Sequence, residues 1–187
     1  MARGGNVAGD PLLLARAQKI RALILDVDGV LTDGRLYYTR QGESVKVFFS
    51  RDGFALKLAQ NAGIRVGILS GRGGAVLRRR LHDLGVDPEL VVEESRDKAG
   101  DFARLCQKLT LDLPQVAYMG DDIPDLPVFS LAGLALAPAD APEEVRARAH
   151  VVVPAPGGRG AVREAVVFLL KAQGIWDEVL RSWERRV

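Results

Sequence analysis

The chain has 187 residues, 48% of them hydrophobic and 27% charged, with a formal net charge of +2. That balance suits one folded domain with a real core and excludes a disordered chain. The basic residues form no backbone-tracking stripe and no aromatic platform, which argues against a nucleic-acid partner, and one cysteine (Cys106) with two histidines (His82, His150) excludes an intramolecular disulfide and a Cys/His metal cage.

Any metal site must therefore use oxygen ligands, which favours magnesium-like ions. No stretch reaches the roughly 18 to 20 apolar residues that span a bilayer, so no membrane partner is expected. Residues 1–18 read as a flexible N-terminal tail, glycine-rich over Met1 to Asp10 and without an apolar secretory core. Residues 19–187 read as a single domain, and a cytoplasmic location is the default expectation.

The elements follow in order. Ile20 to Leu25 is a short apolar run that reads as a buried parallel strand. Leu36 to Tyr38 and Val45 to Phe48, around Gln41-Gly42, predict a two-stranded hairpin. Helical spacing covers Gly53 to Ala62, with Gly63 closing it. Strand and helix then alternate: Ile64 to Leu69, Ala75 to Leu84, Leu90 to Val92, Lys98 to Leu109, Val116 to Met119, Leu126 to Leu131, Leu134 to Leu136, Pro142 to Ala149, Val151 to Val153. Helices over Ala161 to Ala172 and Ile175 to Trp183 close the chain. Such alternation predicts an α/β fold, a Rossmann-like parallel sheet covered on both faces.

Ligands in such folds sit beyond the carboxyl ends of the strands. Asp26-Val27-Asp28-Gly29 follows the first strand, Ser70-Gly71-Arg72 the second, and Gly120-Asp121-Asp122 the fourth. Two carboxylates facing one small volume repel each other, and a divalent cation offsets that repulsion while attracting phosphate. Asp121 and Asp122 can supply further oxygen. Ser70 with the N–H groups of a helix start makes an oxyanion cradle or, alternatively, a plain cap. Lys98 opens a helix, where a cation is unfavourable to the dipole, so it has another reason to be there, such as neutralising phosphate. Gly157-Gly158-Arg159-Gly160 is either an ordinary loop or a substrate-binding one. Asp33, Asp83 and Asp112 read as surface or capping residues, Cys106 as a buried hydrophobe, and Arg78-Arg79-Arg80 as a solvated helix face.

These motifs resemble the haloacid dehalogenase superfamily. Asp26 to Gly34 matches its first motif, Ser70 its second, Lys98 its third, and Gly120-Asp121-Asp122-Ile123-Pro124-Asp125 its fourth. Within it, Arg51 to Phe54, Ser70 to Arg72, Gly120 to Val128 and Gly158 to Glu164 are most similar to the 3-deoxy-D-manno-octulosonate 8-phosphate phosphatase family. The resemblance implies that Asp26 attacks phosphorus and that Asp28 protonates the leaving sugar oxygen and then activates water. It implies Mg2+ held by Asp26, the backbone carbonyl of Asp28, and Asp121, with Asp122 and Asp125 supporting the site. It implies phosphoryl oxygens held by Ser70 and Lys98, Gly71 next to Ser70 in the same phosphate- or substrate-binding set, Arg72 meeting a sugar-acid carboxylate, and Arg159 on a substrate loop. One departure is Glu94, where relatives usually carry a glycine four residues before the lysine.

The gaps between motifs hold a β-hairpin flap and helices, with no room for a cap domain. A neighbouring subunit is therefore expected to cover the site, through the hairpin around Tyr37 to Val47, in a homo-oligomer of the tetrameric kind the resembling family forms. Alternatives are a phosphatase for a nine-carbon 2-keto-3-deoxy sugar acid 9-phosphate or for broader sugar phosphates, and a non-catalytic protein of the same fold.

Overall fold

Ala22–Leu25 forms β1, four apolar residues that are all buried. The structure is a computed structural model that describes residues 10–40 and 42–185. On one side of β1 lies β4 (Arg65–Leu69), followed by β5 (Val91–Val92). On the other lie β6 (Val116–Met119), β7 (Leu134–Ala137) and β8 (Val151–Val152). The order β5-β4-β1-β6-β7-β8 makes one six-stranded sheet, and every pairing in it is parallel. The chain runs outward from β1 through β4 and β5, then crosses back to β6. The switch point therefore falls between β1 and β6, where a crevice opens beyond the strand ends.

Alternate side chains of the strands feed two cores. Leu23, Leu25, Ala117 and Met119 face one, shared with α1 (Pro11–Lys19), α2 (Ser50–Asn61), α3 (Ala75–Leu84) and α7 (Ala161–Ala172). Ala22, Ile24, Val116 and Tyr118 face the other, shared with α4 (Lys98–Leu109), α5 (Leu126–Phe129) and α6 (Glu143–Arg146). Burial on both faces explains why these strands read as unbroken apolar runs. α8 (Trp176–Glu184) follows, with Trp176 against the first core and the Trp183 ring edge-on to Phe54 at 5.1 Å.

Between β1 and β4 the chain makes the antiparallel pair β2 (Tyr37–Thr39) and β3 (Gly42–Val45), then α2. Between β4 and β6 it makes α3, β5 and α4. No separate lid domain stands in either gap among the described residues.

Several boundaries differ from the sequence reading. The tail expected over residues 1–18 is corrected from Pro11 onward, because Pro11–Lys19 is helix: the Asp10 side chain caps it, Ala17 is fully buried, and the Gln173 side chain donates to the Ala17 and Ile20 carbonyls at 3.2 and 2.9 Å. The rest of that expectation, residues 1–9, lies outside the described residues. The second hairpin strand ends at Val45 instead of beginning there, because Lys46 leaves the pairing to reach the strand ends of the main sheet. The helix expected over Pro142 to Ala149 is only Glu143–Arg146, and α2 begins at Ser50, ahead of Gly53.

Candidate active site

β1 and β6 run in register, Leu25 beside Met119, and the Asp26 N–H donates to the Met119 carbonyl at 2.9 Å. Asp26 thus leaves the sheet next to the Gly120-Asp121-Asp122 turn. Carboxylate oxygens of Asp26, Asp121 and Asp125 lie within 4.8 Å of one another. Lys98, the first residue of α4, reaches between them: its Nζ is 2.7 Å from Asp26 Oδ2 and 2.6 Å from Asp125 Oδ1. Gly29 makes the approach possible, since a Cβ there would overlap the Asp121 carboxylate.

Asp125 is fully buried and engaged on all sides. It accepts from Lys98, from the Tyr118 hydroxyl at 2.6 Å, and from the backbone N–H groups of Asp121 and Asp122 at 2.9 and 3.1 Å. It is an anchor that fixes Lys98 and the turn carrying Asp121. Asp122 is exposed, and its side chain caps the short 3-10 turn Ile123–Asp125.

Crowding sets the charge state. Burial, then repulsion from Asp125, raises the Asp26 carboxyl to about 6 despite Lys98. Burial, then Asp26 and Asp125, raises Asp121 to about 8. Burial works to lower Lys98, but Asp26 and Asp125 override it and leave the ammonium above its ordinary value. Burial pushes the Tyr118 hydroxyl well up, so it stays a proton donor to Asp125. Clustered oxygen donors that repel one another fit a hard divalent cation, which would replace the protons that burial otherwise keeps there.

Asp28 points elsewhere. Its Oδ1 sits 2.5 Å from Lys46 Nζ, and the Thr32 hydroxyl lies 3.5 Å from the same oxygen. Ser70 ends β4 buried, its N–H on the Val92 carbonyl and its Oγ accepting from the Arg72 N–H at 3.2 Å. α3 begins at Ala75, where the sequence places it, five residues beyond Ser70, and the Gly74 N–H ahead of it is taken by Glu93 Oε1 at 3.2 Å. Glu93 also pairs with Arg78 at 2.6 Å, so it braces the loop that carries Ser70, Gly71 and Arg72. Arg72 is exposed and donates to the Tyr38 hydroxyl at 2.8 Å, outside the carboxylate cluster. Glu94 is exposed with φ +56, a backbone conformation that glycine holds without strain.

Arg159 is also exposed, on a loop packed against the first motif. The Gly158 N–H donates to the Val30 carbonyl at 2.9 Å, and a Cβ at Gly157 would overlap the Gly29 carbonyl. Buried Asp52 holds this loop, accepting from the Gly160 and Arg163 N–H groups at 3.0 and 2.8 Å. Burial outweighs those two hydrogen bonds and raises the Asp52 carboxyl.

The sequence singles out none of Lys46, Asp52, Glu93 or Tyr118. An acid in the first turn of a helix, as Asp52 is, looks like ordinary dipole compensation. Lys46 does carry a signal. It sits between Val45 and Val47, which are 46% and 56% exposed, while its own side chain is 3% exposed. Arg80 departs from the solvated reading of its triplet: its guanidinium lies over the Phe48 ring at 5.7 Å, and its Nε is buried without a hydrogen-bond partner among the described residues. Cys106 is buried in the second core, and its thiol is pushed up to about 11, chiefly by burial.

Residues 89–163 match the model of the haloacid dehalogenase-like hydrolase family. The 3-deoxy-D-manno-octulosonate 8-phosphate phosphatase KdsC of Escherichia coli K12 is 42% identical over 174 residues, 93% of this chain and 90% of that protein. Its counterpart in Haemophilus influenzae is 42% identical over 159 residues, 85% of this chain and 87% of that protein. The structure of the Moraxella catarrhalis enzyme of the same name, in complex with magnesium, phosphate and KDO, superposes with a TM-score of 0.87 at 34% identity, covering 91% of this chain and 97% of that one. With identity of this depth along nearly its whole length, the chain belongs to the 3-deoxy-D-manno-octulosonate 8-phosphate phosphatase family of haloacid dehalogenase-like hydrolases.

Proposed function

We propose that the chain is a magnesium-dependent phosphatase that releases 3-deoxy-D-manno-octulosonate and phosphate from the 8-phosphate ester. The observation that carries this reading is the cluster at the β1–β6 switch point, where Lys98 bridges Asp26 and Asp125 beside Asp121.

Asp26 is the nucleophile. Its carboxylate oxygen bonds to phosphorus while the bond from phosphorus to the sugar oxygen breaks, and Asp28 gives that departing oxygen a proton. In the second half Asp28 takes a proton from water as the water oxygen bonds to phosphorus. The bond from phosphorus to Asp26 breaks, and phosphate leaves. Asp26, Asp121 and the backbone carbonyl of Asp28 would hold the magnesium ion, which when bound neutralises phosphate and carboxylate charge. Lys98 and Ser70 hold phosphoryl oxygens, with Asp125 orienting Lys98 and Asp122 shaping the rim of the turn. Gly71 lets the backbone near Ser70 come close to phosphate. Arg72 meets the carboxylate of the sugar acid, and Arg159 lines the substrate loop.

The decisive assay is phosphate release from the 8-phosphate with magnesium, beside the nine-carbon 9-phosphate and simple sugar phosphates. Preference for the eight-carbon ester, lost with chelator and with Asp26→Asn, is expected. Preference for another acid would keep the chemistry and change the substrate. No magnesium-dependent release from any ester would favour a non-catalytic role.

The same reading takes the domain from Pro11 onward, in a cytoplasmic enzyme. Among the described residues no helix is long and apolar enough to cross a membrane. It also takes the hairpin as a subunit contact in a homotetramer. Two exposed valines flank the inward lysine, and Tyr37, Tyr38 and Val76 are exposed as well. An apolar patch of this kind is ordinarily covered. A solution mass equal to one chain would reject the assembly.

A further inference from the structure

Lys46 is the largest piece of the site that the proposed chemistry leaves unused. It lies just beyond β3, on the flap and outside the main sheet, yet its side chain is almost wholly buried and its Nζ is 2.5 Å from Asp28 Oδ1. Burying an ammonium is costly unless a carboxylate meets it closely. Here the cost falls on the segment just beyond β3, where the flanking Val45 and Val47 would be the natural residues to turn inward but stay exposed. Lys46 thus turns inward at the end of the flap against the ordinary apolar-in pattern, and the result is a cation delivered to Asp28.

A second tie holds the same flap: the Tyr38 hydroxyl accepts from Arg72 at 2.8 Å. Among the described residues Asp28 has little else to hold it. The Thr32 hydroxyl is 3.5 Å away, at the limit of a hydrogen bond, and the Asp28 side chain is 19% exposed. Asp26 and Asp125 are by contrast held by Lys98 and by backbone N–H groups.

We infer that Lys46 is a positioning residue: carried in by the flap, it fixes the Asp28 carboxyl group toward the oxygen of the departing sugar. The inference rests on Asp28 being the acid. It makes the flap part of the catalytic apparatus as well as a cover, because displacing the hairpin removes the cation that orients Asp28.

The test is a double-substitution cycle with two substrates. kcat/KM is measured for the sugar acid 8-phosphate and for p-nitrophenyl phosphate, whose leaving group departs without a proton. The proteins are the parent, Lys46→Met, Asp28→Asn and the double variant. Lys46→Met is expected to lower the sugar-phosphate value by about 100-fold, the lower end of what a placed acid supplies. The aryl phosphate value should fall by less than about 3-fold, and in the Asp28→Asn background Lys46→Met should lose most of its effect. Lys46→Arg should recover part of the sugar-phosphate rate.

Equal losses in both backgrounds would mean that Lys46 acts on its own, for instance by touching substrate, and would overturn the inference. So would equal losses on both substrates, or none. If Asp28→Asn itself slows both substrates alike, the acid assignment falls and the inference falls with it. If Asp28→Asn discriminates and Lys46→Met does not, the inference falls alone. Thermal melting and magnesium binding are followed for each protein. Should the methionine variant fail to fold, Lys46→Gln and Lys46→Arg carry the same comparison.

Discussion

The carboxylate cluster and the rim around it are built in opposite ways. Asp26 follows β1, Asp121 and Asp125 lie in the turn after β6, and Lys98 opens α4; Asp26 and Asp125 are buried, Asp121 and Lys98 half-buried, and Lys98 pairs with both buried acids while Asp125 accepts from the Asp121 N–H. Arg72, Arg159 and Asp122 stand on loops, exposed, and Arg72 is spent on a tyrosine of the flap. Groups that must hold phosphorus within fractions of an ångström are placed by the sheet, while groups that meet the variable part of a substrate stay on loops. Lys46 crosses this division, since it arrives on a flap and is buried like a member of the cluster.

The largest expected effect comes from titrating the cluster without metal. Asp26 and Asp121 are raised to about 6 and about 8, above the ordinary value of 3.8. Between the ordinary value and those raised ones the folded chain keeps protons that the unfolded chain has lost. Stability of the metal-free protein should therefore fall as pH rises from about 4 to 8, by on the order of several kcal/mol. Magnesium should flatten that fall and should bind more tightly as pH rises, since it displaces protons. Denaturant melts at a series of pH values, with and without magnesium, measure both. A metal-free protein whose stability rises across this window would contradict the geometry.

Next comes Lys98→Met, which leaves Asp26 and Asp125 facing each other without their cation. Removing one partner of a buried pair costs about 3 to 5 kcal/mol. The melt should drop accordingly at neutral pH and recover partly in acid, where a carboxyl proton replaces the ammonium. A melting point that is insensitive to this change would place Lys98 outside the cluster's charge balance.

The rim should behave differently. Arg72→Ala should leave the fold and aryl phosphate turnover unchanged. It should raise KM for the sugar acid phosphate by roughly 10- to 100-fold, the worth of a charge-assisted contact. Equal loss on both substrates would assign Arg72 to the chemistry instead. The smallest effect is Glu94→Gly. Glu94 holds φ +56, where a side chain costs about 1 kcal/mol or more, so the glycine variant should melt slightly higher. A lower melting point would show that the glutamate side chain contributes more than its backbone strain costs.

Much of the cluster was legible because it is local. Asp26 and Asp28 follow an apolar run that can only be a buried strand, and Asp121 follows another. Lys98 at a helix start was unfavourable enough to demand a partner, and Asp26 and Asp125 are that partner. In the glycine-rich Ser70 loop α3 starts at Ala75, where the sequence places it, but the sequence does not show that Glu93 takes the Gly74 N–H. No local pattern assigns Glu93 that task, since it comes from just beyond β5, far along the chain from Gly74.

The alternation of strand and helix, and with it the parallel sheet and the edge at which the aspartates gather, is legible from local pattern alone. Periodicity and turn residues are properties of neighbouring positions, so they survive without a fold. Only the tertiary structure decided which residues support that edge. Asp52 reaches the loop before α7, Tyr118 reaches Asp125 through the second core, and Lys46 reaches Asp28 across the root of the flap. Each of these partnerships depends on distance through space, and a buried charge takes whichever opposite group the packing brings to it.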